Sequence, residues 1–315
     1  MVRRDDMELG LFVEPQCGGS YDRLLQLAQW AETAGLDAFA RSDHYLNGEE
    51  SAHATDALTS FGGLARETST IRLVSLVSPI SFRHPAVMAK SATTIDEMSG
   101  GRFTLGVGTG WMESEHDAFG MDLPPLAERF DRLEESLEVI TTMFSGGGSV
   151  DGTYYSLKSD TVAPSASQGL QIVIGGSGPR KTPTLAGTYA HEYNSFVTDR
   201  QSFDARRRTL RSAATGAGRN PDDILISFSG PALVYESESE HAEALVTRGA
   251  RRDMTADEYS AFLDERCVPH GPPERARQAI DQMASWGVGR YYVQEYTPLD
   301  DVDLNRMDRI FSALK

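Results

Sequence analysis

The chain has 315 residues, and 30 Lys plus Arg against 46 Asp plus Glu give it a formal charge of −16 at pH 7. Nucleic-acid binding needs clustered cations to release counterions, so this balance argues against it, and the one basic cluster, Arg206, Arg207, Arg208 and Arg211, suits the wet face of a helix. A 40% hydrophobic content supports one large core, and the length fits one α/β barrel or two ordinary domains.

Cys17 and Cys267 are too few and too far apart for a disulfide framework or a metal knuckle, which makes a reducing cytoplasm the expected setting. Residues 1–6 turn from basic to acidic without reaching an apolar stretch, so no signal peptide is expected. No apolar run reaches the ~18 residues of a membrane span.

In chain order, Met7 to Val13 reads as a buried strand, and Ser20 opens a helix with Leu24, Leu27, Ala28, Ala31 and Ala34 at helical spacing. A second strand, Ala38 to Arg41, runs into Ser42-Asp43-His44-Tyr45 and a helix through Leu58, Phe61 and Leu64. A third, Ile71 to Ser75, leads through His84-Pro85 into a helix stopped by Gly100-Gly101, and Phe103 to Val107 makes a fourth. The fourth helix is the clearest amphipathic signal, with Phe130, Leu133, Leu137, Ile140 and Phe144 in one stripe.

Residues 145–171 break the rhythm. They are rich in Gly, Ser and Pro around Thr153-Tyr154-Tyr155, and read as a long insertion with a candidate hairpin. Alternation resumes with strands at Gln171 to Ile174, Glu192 to Phe196, Ile224 to Phe228 and Arg290 to Gln294, each followed by helix. About eight strand-helix units with no composition shift predict an α/β fold, a single (β/α)8 TIM barrel over residues 1–315 with the insertion between the fourth helix and fifth strand. The rival, a doubly wound sheet, wants G-x-G-x-x-G after its first strand, whereas this chain has Glu14-Pro15-Gln16-Cys17-Gly18-Gly19.

A barrel places its chemistry at the strand C-terminal ends, which nominates Glu14 and Cys17, then Asp43 and His44, then Ser75 to Ser78, Gly108 to Trp111 and Gly175 to Gly178. A carboxylate beside an imidazole sets the ring tautomer, so Asp43-His44 suggests proton transfer; alternatively Asp43 caps the next helix and His44 is structural. Gly175, Gly176, Ser177 and Gly178, then Pro179 and Arg180, present backbone N–H groups and a helix start to an anion, or make a tight turn with no ligand. The scattered histidines suggest no metal site, and Cys17 reads as a small semi-buried side chain.

Together Ser42-Asp43-His44, Arg83 to Lys90, Asp96 to Trp111, Glu128 to Glu135 and Ile174 to Gly178 resemble the luciferase-like flavin and deazaflavin oxidoreductase superfamily, in its branch using coenzyme F420. The likeness covers about residues 7–196 and weakens beyond. It implies a homodimeric oxidoreductase passing hydride between F420 and a small organic substrate, with FMN-dependent monooxygenation as the alternative. His44 becomes the expected proton carrier and Glu14 its understudy.

The resemblance also implies that Asp43 lies near the deazaflavin ring and that a non-proline cis peptide, matched to Ser75-Leu76, bulges against it. Gly108, Thr109 and Gly110 would border the ring and ribityl chain, while Gly175, Gly176, Ser177 and Gly178 match the phosphate site. FMN-using luciferases tend to carry Arg where Thr109 sits, which favours F420; F420-linked sugar-phosphate dehydrogenases carry Glu where Trp111 sits, which cautions against that substrate. His191-Glu192 replaces the usual Ala-Asp. F420 is polyanionic, so Arg180 and Lys181 are the cations expected to help hold it, and residues 145–171 and 47–55 are the expected walls or lid.

Overall fold

A computed structural model describes residues 7–47 and 54–315; part of the expected lid loop, 48–53, lies outside the described residues. Eight parallel strands close on themselves: β1 (Glu8–Val13), β2 (Ala38–Arg41), β3 (Arg72–Ser75), β4 (Phe103–Gly108), β5 (Gln171–Gly175), β6 (Glu192–Phe196), β7 (Leu225–Gly230) and β8 (Arg290–Glu295). Each pairs with its sequence neighbour, β3 with β4 through Leu73 opposite Phe103, and β8 returns to β1 with Arg290 opposite Glu8. This is the (β/α)8 barrel that the strand-helix alternation predicts.

Alternation along the strands sorts the core into two layers. Leu11, Phe39, Leu73, Leu105, Ile174 and Val293 face outward into the cluster shared with the helices, whereas Phe12, Ala38, Ala40, Val74, Val173 and Tyr292 fill the barrel. The Tyr292 ring needs Gly10, where a Cβ would lie 2.7 Å from the ring. At the N-terminal end Arg290 donates to Glu8 and to Glu192, each at 2.5 Å, so the departure at Glu192 serves a buried ion pair far from the strand C-termini.

The surrounding helices include α1 (Tyr21–Thr33), α2 (Ala57–Glu67), α3 (Pro85–Ser99), α4 (Glu113–Phe119), α5 (Leu126–Phe144) and α6 (Lys181–Tyr189). In α5 the expected stripe buries Leu133, Leu137 and Ile140. The short α4, which apolar periodicity did not reveal, interrupts the β4–α5 connection. None of the helices among the described residues is long and apolar enough to cross a membrane.

The insertion contains the hairpin, Gly148–Asp151 against Ser156–Ser159, with its turn held by Glu135 of α5, which accepts from the N–H groups of Thr153, Tyr154 and Tyr155. None of its residues lines the cavity at the strand C-terminal ends. Its base lies at the strand N-terminal end, where Ser167 bonds Asp96 near the end of α3 and Arg72 bonds the carbonyl of Gly169, while Tyr155 in the hairpin turn meets the ring of His84 at the start of α3.

Candidate active site

A cavity of about 570 Å³ opens at the strand C-terminal ends, within the size range of small-molecule sites. Of the residues singled out in the sequence, Glu14, His44, Leu76, Gly108, Thr109, Gly110, Gly175, Gly176 and Ser177 line it; Asp43, Ser75, Gly178 and Arg180 do not. Cys17 is also in the wall, where burial, with Glu14 and Glu295 nearby, raises its pKa and keeps it a thiol.

Asp43 and His44 do not form the expected pair. Consecutive side chains of an extended segment point to opposite sides. Asp43 turns to Arg83 on the β3–α3 connection, which grips it at 2.5 and 3.2 Å and also bonds Asp56 and the Tyr45 hydroxyl. His44 turns to the cavity, and its Nδ1 lies 3.0 Å from Glu115 Oε2.

Glu115 is almost fully buried on α4 and also accepts from the backbone N–H groups of Tyr45 and Leu46. Burial disfavours its charge, but the bond from His44 and those two N–H groups outweigh burial and lower its pKa. Burial likewise pulls the His44 pKa down, while the hydrogen bond and charge of Glu115, helped by Glu14 and Asp43, bring it above its ordinary value. An ionised Glu115 requires a proton on Nδ1, which leaves Nε2 of the neutral ring as an acceptor. This is a base with a fixed tautomer.

Across the mouth, Glu14 accepts from Gln16 Nε2 at 2.6 Å and from Gln294 Nε2, and Ser42 donates to Gln16 Oε1 at 2.8 Å. Both Glu14 oxygens are therefore engaged, whereas Gln294 Oε1 is buried without a partner among the described residues. Asn194 donates to Ser227 at 3.0 Å and accepts from Ser229, adding polar groups from β6 and β7.

The cis peptide is Leu76–Val77, one residue beyond the expected Ser75–Leu76. Leu76 N–H still bonds Arg41 O at 2.9 Å and Ser75 Oγ is tied to Gly106, so the chain stays in the sheet through Leu76. Val77 then enters the mouth between glycines: a Cβ on Gly108 would meet it at 2.8 Å and one on Gly175 at 2.7 Å.

The cation placement also differs. Arg180 is exposed, and Lys181 lies beside Phe130 and 3.4 Å from Asp131 on the outer surface, because the first turn of α6 faces α5. Arg129 of α5 instead reaches the carbonyl of Gly110, with its Nε buried and unpartnered among the described residues. Asn194, Phe196, Ser229, Gln294 and Tyr296 of the lining come from strand ends β6 to β8. The strand-end rule applied beyond β5 finds them, whereas nothing in the local pattern marks Glu115.

Residues 7–290 match the model of the luciferase-like monooxygenase family. An F420-dependent glucose-6-phosphate dehydrogenase of Microbacterium testaceum is 34% identical over 264 residues, covering 81% of this chain and 78% of that protein. Its namesake in Beutenbergia cavernae is 34% identical over 300 residues, covering 93% and 84%. A solved F420-dependent secondary alcohol dehydrogenase, in complex with an F420-acetone adduct, superposes with a TM-score of 0.80 at 18% identity, covering 98% of this chain and 99% of that one.

Proposed function

The chain belongs to the luciferase-like monooxygenase family, and within it we propose an oxidoreductase that uses coenzyme F420 to move hydride to or from a small organic substrate. The observation that carries the reaction is the Glu115–His44 pair, a buried carboxylate fixing an imidazole that lines the cavity and whose other nitrogen has no partner among the described residues. The relatives named F420-dependent support the cofactor.

The residues suit such a group. Gly108 and Gly175 flank the apolar Leu76–Val77 bulge, a wall for a flat ring, and Gln294 Oε1 is an acceptor that no group among the described residues satisfies. Gly110, Gly176 and Ser177 would hold the ribityl and phosphate portion, with Arg129 behind Gly110 as the nearby cation. A bound deazaflavin supplies a carbon that accepts or gives hydride.

The chain supplies the rest. Neutral His44 takes the substrate hydroxyl proton at Nε2 during oxidation, and the protonated ring returns it during reduction. Glu115 stabilises the imidazolium so formed. Glu14, held by Gln16 and Gln294, is a further carboxylate of the cavity wall that favours that imidazolium.

The test adds a secondary alcohol to the protein with oxidised F420, with and without oxygen. Loss of the oxidised cofactor's visible absorbance at the same rate in both is expected. No loss with F420, together with an oxygenated product from reduced FMN and oxygen, overturns the reading.

A further inference from the structure

We infer that His241 and His270 form an acid-sensitive latch, which fastens two helices at the flank of the site through one shared proton and releases them when both rings become charged. These groups take no part in the proposed reaction, and the latch does not depend on the cofactor.

After β7 the chain makes an excursion of two helices, Glu238–Ala250 and Ala256–Glu265. It returns to pair His270 with Leu233 and Gly271 with Val234 before entering the helix Pro273–Trp286. The excursion sits beside the mouth, since Leu233 and Arg248 line a cavity of about 590 Å³ that shares Gln294 and Tyr296 with the candidate active site.

Both histidines are buried, at 3 and 2% exposure, and they bond each other, with His241 Nε2 3.0 Å from His270 Nδ1. His270 Nε2 lies 2.9 Å from Asp264 Oδ1, and Arg275 donates to that carboxylate at 3.0 and 3.2 Å. At the other end His241 Nδ1 lies 3.6 Å from Glu238 Oε2. One line of polar contacts therefore joins both helices of the excursion, the short strand pair and the helix that follows. Tyr235 stacks on His241, and the Cys267 thiol, which burial and Asp264 push up to about 11, adds no charge.

This geometry limits the protons that the line can hold. The Asp264 carboxylate requires a proton on His270 Nε2, and the contact between the rings has room for one proton, not two. Three ring protons are thus the most that the closed line accepts, the third on His241 Nδ1 opposite Glu238. A fourth sets N–H against N–H in a buried contact and breaks it. Burial, helped by Arg275 and His241, holds the His270 pKa below its ordinary value against the pull of Asp264. The latch therefore keeps its full strength above about pH 6.5, the ordinary value of an exposed imidazole, and loses it as pH falls from there through the lowered one. Opening takes up one proton, so the open population should rise by up to about tenfold per pH unit in that range.

The test is hydrogen–deuterium exchange of the full chain between about pH 7.5 and 5, corrected for the intrinsic exchange rate. Peptides from 238–265 should exchange at least about tenfold faster at the acid end, while those of β1 to β4 stay protected. His241→Gln keeps the link in every state, because an amide offers N–H to a neutral His270 and its carbonyl to a charged one, so its exchange over 238–265 should not change with pH. His241→Phe leaves His270 Nδ1 without this partner and should exchange fast already at pH 7.5.

Nitrogen NMR of the histidines in the unaltered protein adds a readout that needs no variant: the two rings should not both be charged while the 238–265 amides stay protected. Equal protection of 238–265 at both ends of the range overturns the inference, as does acid exchange spread evenly over the barrel. Persistent pH dependence in His241→Gln, or two charged rings with protection intact, overturns it equally.

Discussion

The contact that sets the His44 ring comes from 71 residues further along the chain, where Glu115 accepts from Nδ1 at 3.0 Å. On the proposed mechanism His44 carries the proton, so His44→Ala should lower turnover about 10²–10⁴-fold while F420 affinity holds, measured by steady-state kinetics and equilibrium titration. On the same proposal the oxidative direction uses neutral His44, so its rate should fall as pH drops through a pKa held above its usual value. In Glu115→Gln the amide no longer favours the imidazolium, and that acid limb should move to lower pH, with nitrogen NMR reporting a changed tautomer balance. A limb left where it is would leave Glu115 with only a packing role. The sequence exposed His44 as a strand-end residue but suggested the wrong carboxylate, because adjacency in an extended segment separates side chains, and the true partner is a single Glu on a helix of 7 residues.

Among elements, the turn after β3 and the glycines of β4 and β5 form one fitted unit. Val77 occupies the room left by Gly108 and Gly175, so glycines that first suggest a phosphate cradle also serve close approach at the mouth. Gly108→Ala would put a methyl 2.8 Å from Val77 Cγ2. It should cost about 1–3 kcal/mol in denaturant unfolding and weaken cofactor binding, and a second change, Val77→Ala, should recover most of both. No recovery in the double variant would separate the two sites. Helix α5 was legible from its stripe alone, since Leu133, Leu137 and Ile140 repeat at the helical period. The insertion was legible as a hairpin but not in its course, because composition does not say that its turn folds back along α5 to meet His84.

Over the whole molecule, the strand-helix alternation carries enough information to specify the barrel, because each β-α unit buries its apolar outer face only against its neighbours in the ring. The lining from β6 to β8 was harder to read, since the likeness fades there and single polar residues such as Asn194 and Gln294 have no local signature. The charge of −16 acts at this scale too. A polyanionic cofactor meets a repulsive long-range field, so its association rate should rise with ionic strength between about 0.01 and 0.15 M, where the Debye length falls from about 30 to 8 Å. Stopped-flow mixing checks this, and a rate falling with salt would point to an attractive local field at the mouth. The most direct measurement of the central claim is a pair of equilibrium titrations of the purified protein, one with F420 and one with FMN. Saturable binding of F420, clearly tighter than that of FMN, is the expected result; tight FMN binding with none for F420 would contradict it.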